Sequence, residues 1–198
     1  MNTPAHVIYS LVLLGRGNAA KFAVAIAAGA VLPDLFMILF YAYEKLLGTP
    51  EPVIWQDHYY RPFWQNLFDT TNSLPLLGIA LAVAWYRKHR GWALLFASMM
   101  IHCLLDLPVH HDDGHRHFFP FSEFRFQSPV SYWDPGHYGN IVVLAEMVSF
   151  LFGAVFLWRG QRNGVKLVKT TRLRIVIIFT ATVYIGFIVF AVTTWMGM

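Results

Sequence analysis

Charge and sulfur are what this chain has least of. Charged residues fill 13% of its 198 positions, against about 25% in an ordinary soluble domain. With 57% hydrophobic residues and a mean hydropathy of +0.47, that scarcity excludes a soluble globular domain and a disordered chain. The single cysteine, Cys103, excludes an internal disulfide framework and any CxxC zinc site. The sequence has no Gly-rich phosphate loop, no internal repeat and no low-complexity tract. Ser10, Ser73 and Ser98 have no base suitably placed beside them, which argues against a serine nucleophile. Cys103 neighbours His102, but adjacent helical residues face different ways, so a Cys–His dyad is a poor reading.

What is present is apolar length. Runs at about 19–47, 66–85, 91–107, 138–158 and 173–195 are each long enough to cross a bilayer. Pro4 to Leu14 is shorter. Its eleven residues make about 16 Å of helix, roughly half a hydrocarbon core. No basic residue precedes it, so it is not read as a signal peptide. The expectation is an all-α polytopic membrane protein, a single membrane domain over 1–198 with about five transmembrane helices and a short N-terminal helix.

The segments 15–21, 86–91 and 159–174 hold eleven of the 15 lysines and arginines and none of the 11 acidic residues. Five spans put all three on one side, the side that positive charge marks as cytoplasmic. The isoelectric point near 9.3 then reflects topology rather than a bound nucleic acid. The expected location is a bacterial inner membrane, with membrane lipids as partners and room for a homo-oligomer or a larger membrane complex. The opposite side receives the long, aromatic, His-bearing segments 44–65 and 110–137. Trp85, Tyr86 and Trp158 read as aromatic-belt residues, and His58, His89 and His137 as interfacial ones.

Ionisable groups inside a bilayer are costly and mark function by default. Counting from the basic end of each span, Asp34 lies about 20 Å up, His102 about 18 Å and Asp106 about 24 Å. Asn72, Asp69 and Glu146 reach about 22, 27 and 20 Å. Polar groups from four helices therefore meet at a similar depth, and His6 joins them if the first helix runs inward from the far side. Glu146 alone reads as a helix-pairing carboxylate ahead of a catalytic one, and Asn72 equally well as a helix–helix hydrogen-bonding group. His102 and Asp106, at i and i+4, share a helix face. His110 would extend that row past Pro108, which ends or kinks the helix. The stretch His110 to His117 carries four His and two Asp in eight residues, a ligand-rich composition. Imidazole and carboxylate without thiol suit zinc, manganese, iron or nickel. A divalent ion would also offset the charge of acids at this depth.

These residues, in this order, resemble the YdjM-like, LexA-regulated inner-membrane proteins, a family of metal-dependent hydrolases. Pro4-Ala5-His6 matches the family's N-terminal His, and Leu32-Pro33-Asp34 the start of its PDxDH motif. Thr71-Asn72-Ser73-Leu74 looks like its HRGxTHS stretch, and His102 to Asp106 is its HxxxD helix. Phe118 to Phe121, then Phe124-Arg125-Phe126 and Pro129, looks like its aromatic-Pro and RFR-like loop. The likeness covers about residues 3–130. It departs at Phe36, Met37 and Asn72, where the family has Asp and two His, and at Leu67-Phe68-Asp69, where it has HRG. Asp69 and the His110–His117 cluster are the polar residues that would compensate.

The resemblance implies a metal-dependent hydrolase acting on a lipid-like ester or phosphoester at the extracytoplasmic face. The expected metal ligands are His6, Asp34, His102, Asp106 and one of His110 or His111. Asp69 and Asp106 are the expected catalytic carboxylates, and Arg116 and Arg125 the residues holding an anionic headgroup. The other readings are a non-catalytic small subunit of a membrane complex, or a transport or haem-binding protein.

Overall fold

The computed structural model describes residues 1–159 and 171–195. Most of the basic segment 159–174 therefore lies outside the described residues. Helix makes up 76% of the structure, and the described residues form no strand. The helices are α1 (Thr3–Leu14), α2 (Ala23–Leu46), α3 (Glu51–Gln56), α4 (Pro62–Thr71), α5 (Leu74–Tyr86), α6 (Arg90–Asp106), α7 (Gly139–Arg159) and α8 (Thr171–Trp195). Five stretches are long and apolar enough to cross a membrane: Asn18–Leu46, Pro62–Tyr86, Arg90–Val109, Gly139–Arg159 and Thr171–Val189. With the shorter α1, this is the expected architecture.

Each boundary has a local cause. Pro4 starts α1, where a missing N–H costs nothing. At its end, the Gly15 N–H bonds to the Leu11 carbonyl, and a Cβ on Gly15 would lie 2.6 Å from that oxygen. The second span is not one helix. It breaks at Asn72-Ser73, where the Ser73 hydroxyl caps α5 by accepting from the Leu76 N–H at 3.3 Å, and Pro75 fills the first turn. Pro108 ends α6, and a 3-10 turn, Leu107–Val109, carries the row on to His110.

α2 and α6 form the most extensive helix pair, and they run parallel. Ser98 Oγ donates to the Ile26 carbonyl at 2.7 Å, and the His102 ring meets the Ala30 carbonyl at 2.8 Å. One turn on, Asp34 reaches His102. The chain numbers step together by four on both helices. Gly29 makes this approach feasible, since a Cβ there would sit 2.2 Å from the Leu95 carbonyl oxygen.

α1 lies across α2 and α7, with Ile8, Leu11, Ile26 and Phe150 in their shared core. Glu146 of α7 accepts from the Asn2 backbone at 3.0 Å, the Asn2 amide at 2.6 Å and the Tyr184 hydroxyl at 3.0 Å. It pairs α1, α7 and α8, which is the helix-pairing reading of that carboxylate. The outer faces of α7 and α8 leave Ile141, Leu151, Phe152, Ile178 and Phe179 exposed, as lipid-facing helices do. The parallel α2 and α6 put Lys21 and Arg90 at one end of the bundle, beside the short α5–α6 turn. Arg16 lies over the Phe156 ring, and Arg174 over Trp158. Arg159, which follows Trp158 directly, therefore belongs to the same end.

Candidate metal centre

The site grows from the parallel α2–α6 pair. The Ala30 carbonyl takes the Nδ1 side of His102, which leaves Nε2 facing inward. Nε2 lies 2.9 Å from Asp106 Oδ2 and 3.4 Å from Asp34 Oδ1. α1 brings in His6, whose ring stacks on His102 with centroids 3.7 Å apart and whose Nε2 is 3.0 Å from Asp106 Oδ1. His6 and His102 are wholly buried and Asp106 nearly so.

The alignment of these contacts matters as much as their length. Neither ring nitrogen of His6 has a hydrogen-bond partner, and neither does His102 Nε2. The nitrogens are close to carboxylate oxygens, yet no N–H points along the line between them. One ligand atom from each of His6, His102 and Asp106 lies within 4.8 Å of the others, so this buried group could hold a metal ion. Two imidazoles and a carboxylate, with no thiol, form a donor set that fits a divalent metal and leaves positions open.

Around this group are six flanking contacts. Asp34 Oδ2 accepts from Thr3 Oγ1 at 2.5 Å. His110 Nε2 lies 3.3 Å from Asp106 Oδ1, continuing the i, i+4 row. The Met1 amine is 2.7 Å from the same oxygen and 3.0 Å from His110 Nε2. On the far side of the His110 ring, Nδ1 is 3.0 Å from Asp113 Oδ1, and Asp113 Oδ2 accepts from Trp133 Nε1 at 3.0 Å. Burial opposes the charge on Asp113, but His110 beside it outweighs burial and holds its carboxyl below the usual range. Burial and the Met1 amine likewise oppose charge on His110, and Asp106 and Asp113 together raise it.

The remaining residues expected at the site lie elsewhere. Asp69 is fully buried and engages the 110–137 segment. Its Oδ1 accepts from the Arg116 backbone N–H at 3.1 Å and lies 3.3 Å from His115 Nδ1. Its Oδ2 accepts from Arg116 Nε at 2.5 Å and Arg125 Nη2 at 3.3 Å. Arg116 also pairs with Glu123 and donates to Asn66, and Arg125 donates to Gln65 and the Gly114 carbonyl. Asp69, Arg116 and Arg125 thus hold one another. His111 turns to the Ser128 carbonyl at 2.6 Å and stacks on His137, away from the His6 group. Asn72 bonds the Pro33 and Phe68 carbonyls and joins helices.

No family model, curated protein or solved structure matches the chain.

Sequence reading missed Thr3 and the Ala30 carbonyl, which orient the ligand candidates, and counted Asp113 only as one of the two Asp in the His110–His117 stretch. Asp113 had a signal in its i, i+3 spacing from His110. The other two contacts depend on which helices meet, and nothing in the local sequence records that.

Proposed function

We propose that this is a membrane-embedded, metal-dependent hydrolase that cleaves an ester or phosphoester of a lipid-like substrate. The observation that carries this reading is the buried group of His6, His102 and Asp106, with its unpartnered ring nitrogens. It accords with the resemblance to the YdjM-like family, which implies the same chemistry. His6, His102 and Asp106 would hold the ion, with His110 beside them. Zinc is favoured by two imidazoles and one carboxylate, and manganese, iron or nickel would be accepted by the same donors. A bound divalent ion would act as a Lewis acid toward the carbonyl or phosphoryl oxygen.

The chain's own groups supply the rest. The Ala30 carbonyl fixes the His102 tautomer, so that Nε2 is available as a ligand. Asp34 stands beside the triad rather than within it, steadied by the Thr3 hydroxyl, and is the carboxylate placed to take a proton from the attacking water. Asp69 is already bound by two guanidinium groups, so it is poorly placed to act as the base. The site sits among lipid-facing helices at the end of the bundle away from the basic turns, which favours a substrate drawn from the membrane. The proposed location is a bacterial inner membrane, with the basic end cytoplasmic.

The test is elemental mass spectrometry on detergent-purified protein, wild type beside the His102→Ala/Asp106→Ala double variant. Near-stoichiometric divalent metal that is lost in the variant supports the reading, and a screen of lipid esters and phosphodiesters would follow. A well-folded wild type without metal overturns it in favour of a non-catalytic subunit, and purification of its complex would then be the next step.

A further inference from the structure

Two rulers give the depth at which the 110–137 segment docks. Tyr86 and Arg90 flank the basic turn between α5 and α6. The Leu74 N–H donates to the His117 carbonyl at 2.9 Å, and Ser73 Oγ to the Phe119 carbonyl at 2.5 Å. Those two residues start α5, about 18–20 Å above Tyr86 at helical rise. On the neighbouring helix, Cys103 lies about 20 Å above Arg90, and its thiol meets Asn72 at 3.7 Å. The two rulers agree. The chain leaves α6 through Val109, about 9 Å further up, and must come back down by that distance to reach the α4–α5 break. A hydrocarbon core of about 30 Å would still surround residues at this level.

We infer that the turn 118–126 is a re-entrant element that places its phenylalanines among the acyl chains of the leaflet away from the basic end. Phe118, Phe121, Phe124 and Phe126 are all exposed, Phe121 at 73% and Phe124 at 59%. Four exposed phenylalanines in nine residues would be a liability in water. Backbone at membrane depth is favoured when its hydrogen bonds are met within the protein, and four of the eight N–H groups of 118–126 are met there. The Phe119 N–H bonds to the Arg116 carbonyl, those of Phe121 and Ser122 to the Phe118 carbonyl, and that of Phe124 to Ser122 Oγ. Glu123 pairs with Arg116 while its side chain stays 78% exposed, and both arginines pair with the buried Asp69. The depth of the docking contacts and the run of exposed phenylalanines are what place this turn against lipid. The inference rests on the membrane spans and is independent of the proposed catalysis.

The test uses an environment-sensitive dye on Phe121→Cys and Phe124→Cys, in phosphatidylcholine vesicles with and without bromine on mid-acyl carbons. Wild type controls for the buried Cys103. Leu144→Cys, on the exposed face of α7, is the lipid reference, and the free dye–cysteine adduct in buffer is the water reference. Both turn positions should behave like position 144, with blue-shifted emission, quenching by the brominated lipid and loss of iodide quenching. Iodide quenching equal to the free adduct would overturn the proposal. So would shielding from both quenchers, which would mean that protein covers the turn. Failure of bromolipid quenching at position 144 itself would instead overturn the membrane-spanning reading on which the inference stands.

Discussion

His6 is where a metal centre and an ordinary helix contact predict different things. A buried polar group without a partner costs about 1–3 kcal/mol, and His6 has two such nitrogens. Replacing it with phenylalanine keeps a ring against His102 and removes both. We expect His6→Phe to lose bound metal and the thermal shift that added metal gives. Stripped of metal by a chelator, the variant should melt at or above chelated wild type. A chelated variant that melts well below would show that the imidazole is held by hydrogen bonds instead. Asp69 poses the opposite case, a buried carboxylate with every oxygen engaged by the 110–137 segment. Asp69→Ala strands Arg116 and should cost about 3–5 kcal/mol, seen as a lower Tm and as proteolysis within 110–137, with metal content retained. Loss of metal with the loop still protected would make Asp69 part of the centre. The His102–Asp106 pair was legible in the sequence because i, i+4 spacing fixes a shared face. The partners of Asp69 were not, because Arg116 lies 47 positions away and only the folded segment brings it back.

The elements were legible to different degrees for physical reasons. Span length and hydropathy are local properties, so the five crossings and the short α1 follow from composition. The break in the second span also had local signals in Ser73 and Pro75, but an apolar count runs straight through them. The parallel α2–α6 contact has no local signature beyond small residues, and Gly29 is where that contact is tightest. Gly29→Val puts a Cβ 2.2 Å from the Leu95 backbone oxygen, so the helices must separate. Overpacking of this kind costs about 1–3 kcal/mol. Because Ala30 and Asp34 move with the helix, Gly29→Val should also weaken metal retention. Gly78 in α5 is the control. A Cβ there meets nothing within 4 Å. Gly78→Ala should destabilise by no more than about 0.5 kcal/mol. Equal losses at both positions in a thermal melt would mean that the α2–α6 approach is not the tight contact of the bundle.

For the molecule as a whole, the distribution of charge decides which face the centre serves. Arg16, Lys21, Arg87, Arg90 and Arg159 gather at one end through helix packing, not through sequence proximity. The His110–His117 segment leaves from the other end. Positive charge resists translocation, so the basic end should face the cytoplasm and the centre should draw on the opposite leaflet. Arg87 and Asp112 are both exposed and lie at opposite ends, which makes them suitable for single-cysteine labelling, with Cys103 buried. In intact cells, a membrane-impermeant maleimide should label Asp112→Cys and leave Arg87→Cys untouched until the membrane is opened with detergent. The reverse pattern would turn the molecule over. The same helices would then present His6, His102 and Asp106 to the cytoplasmic leaflet, and any search for a substrate would have to begin with the lipids of that side.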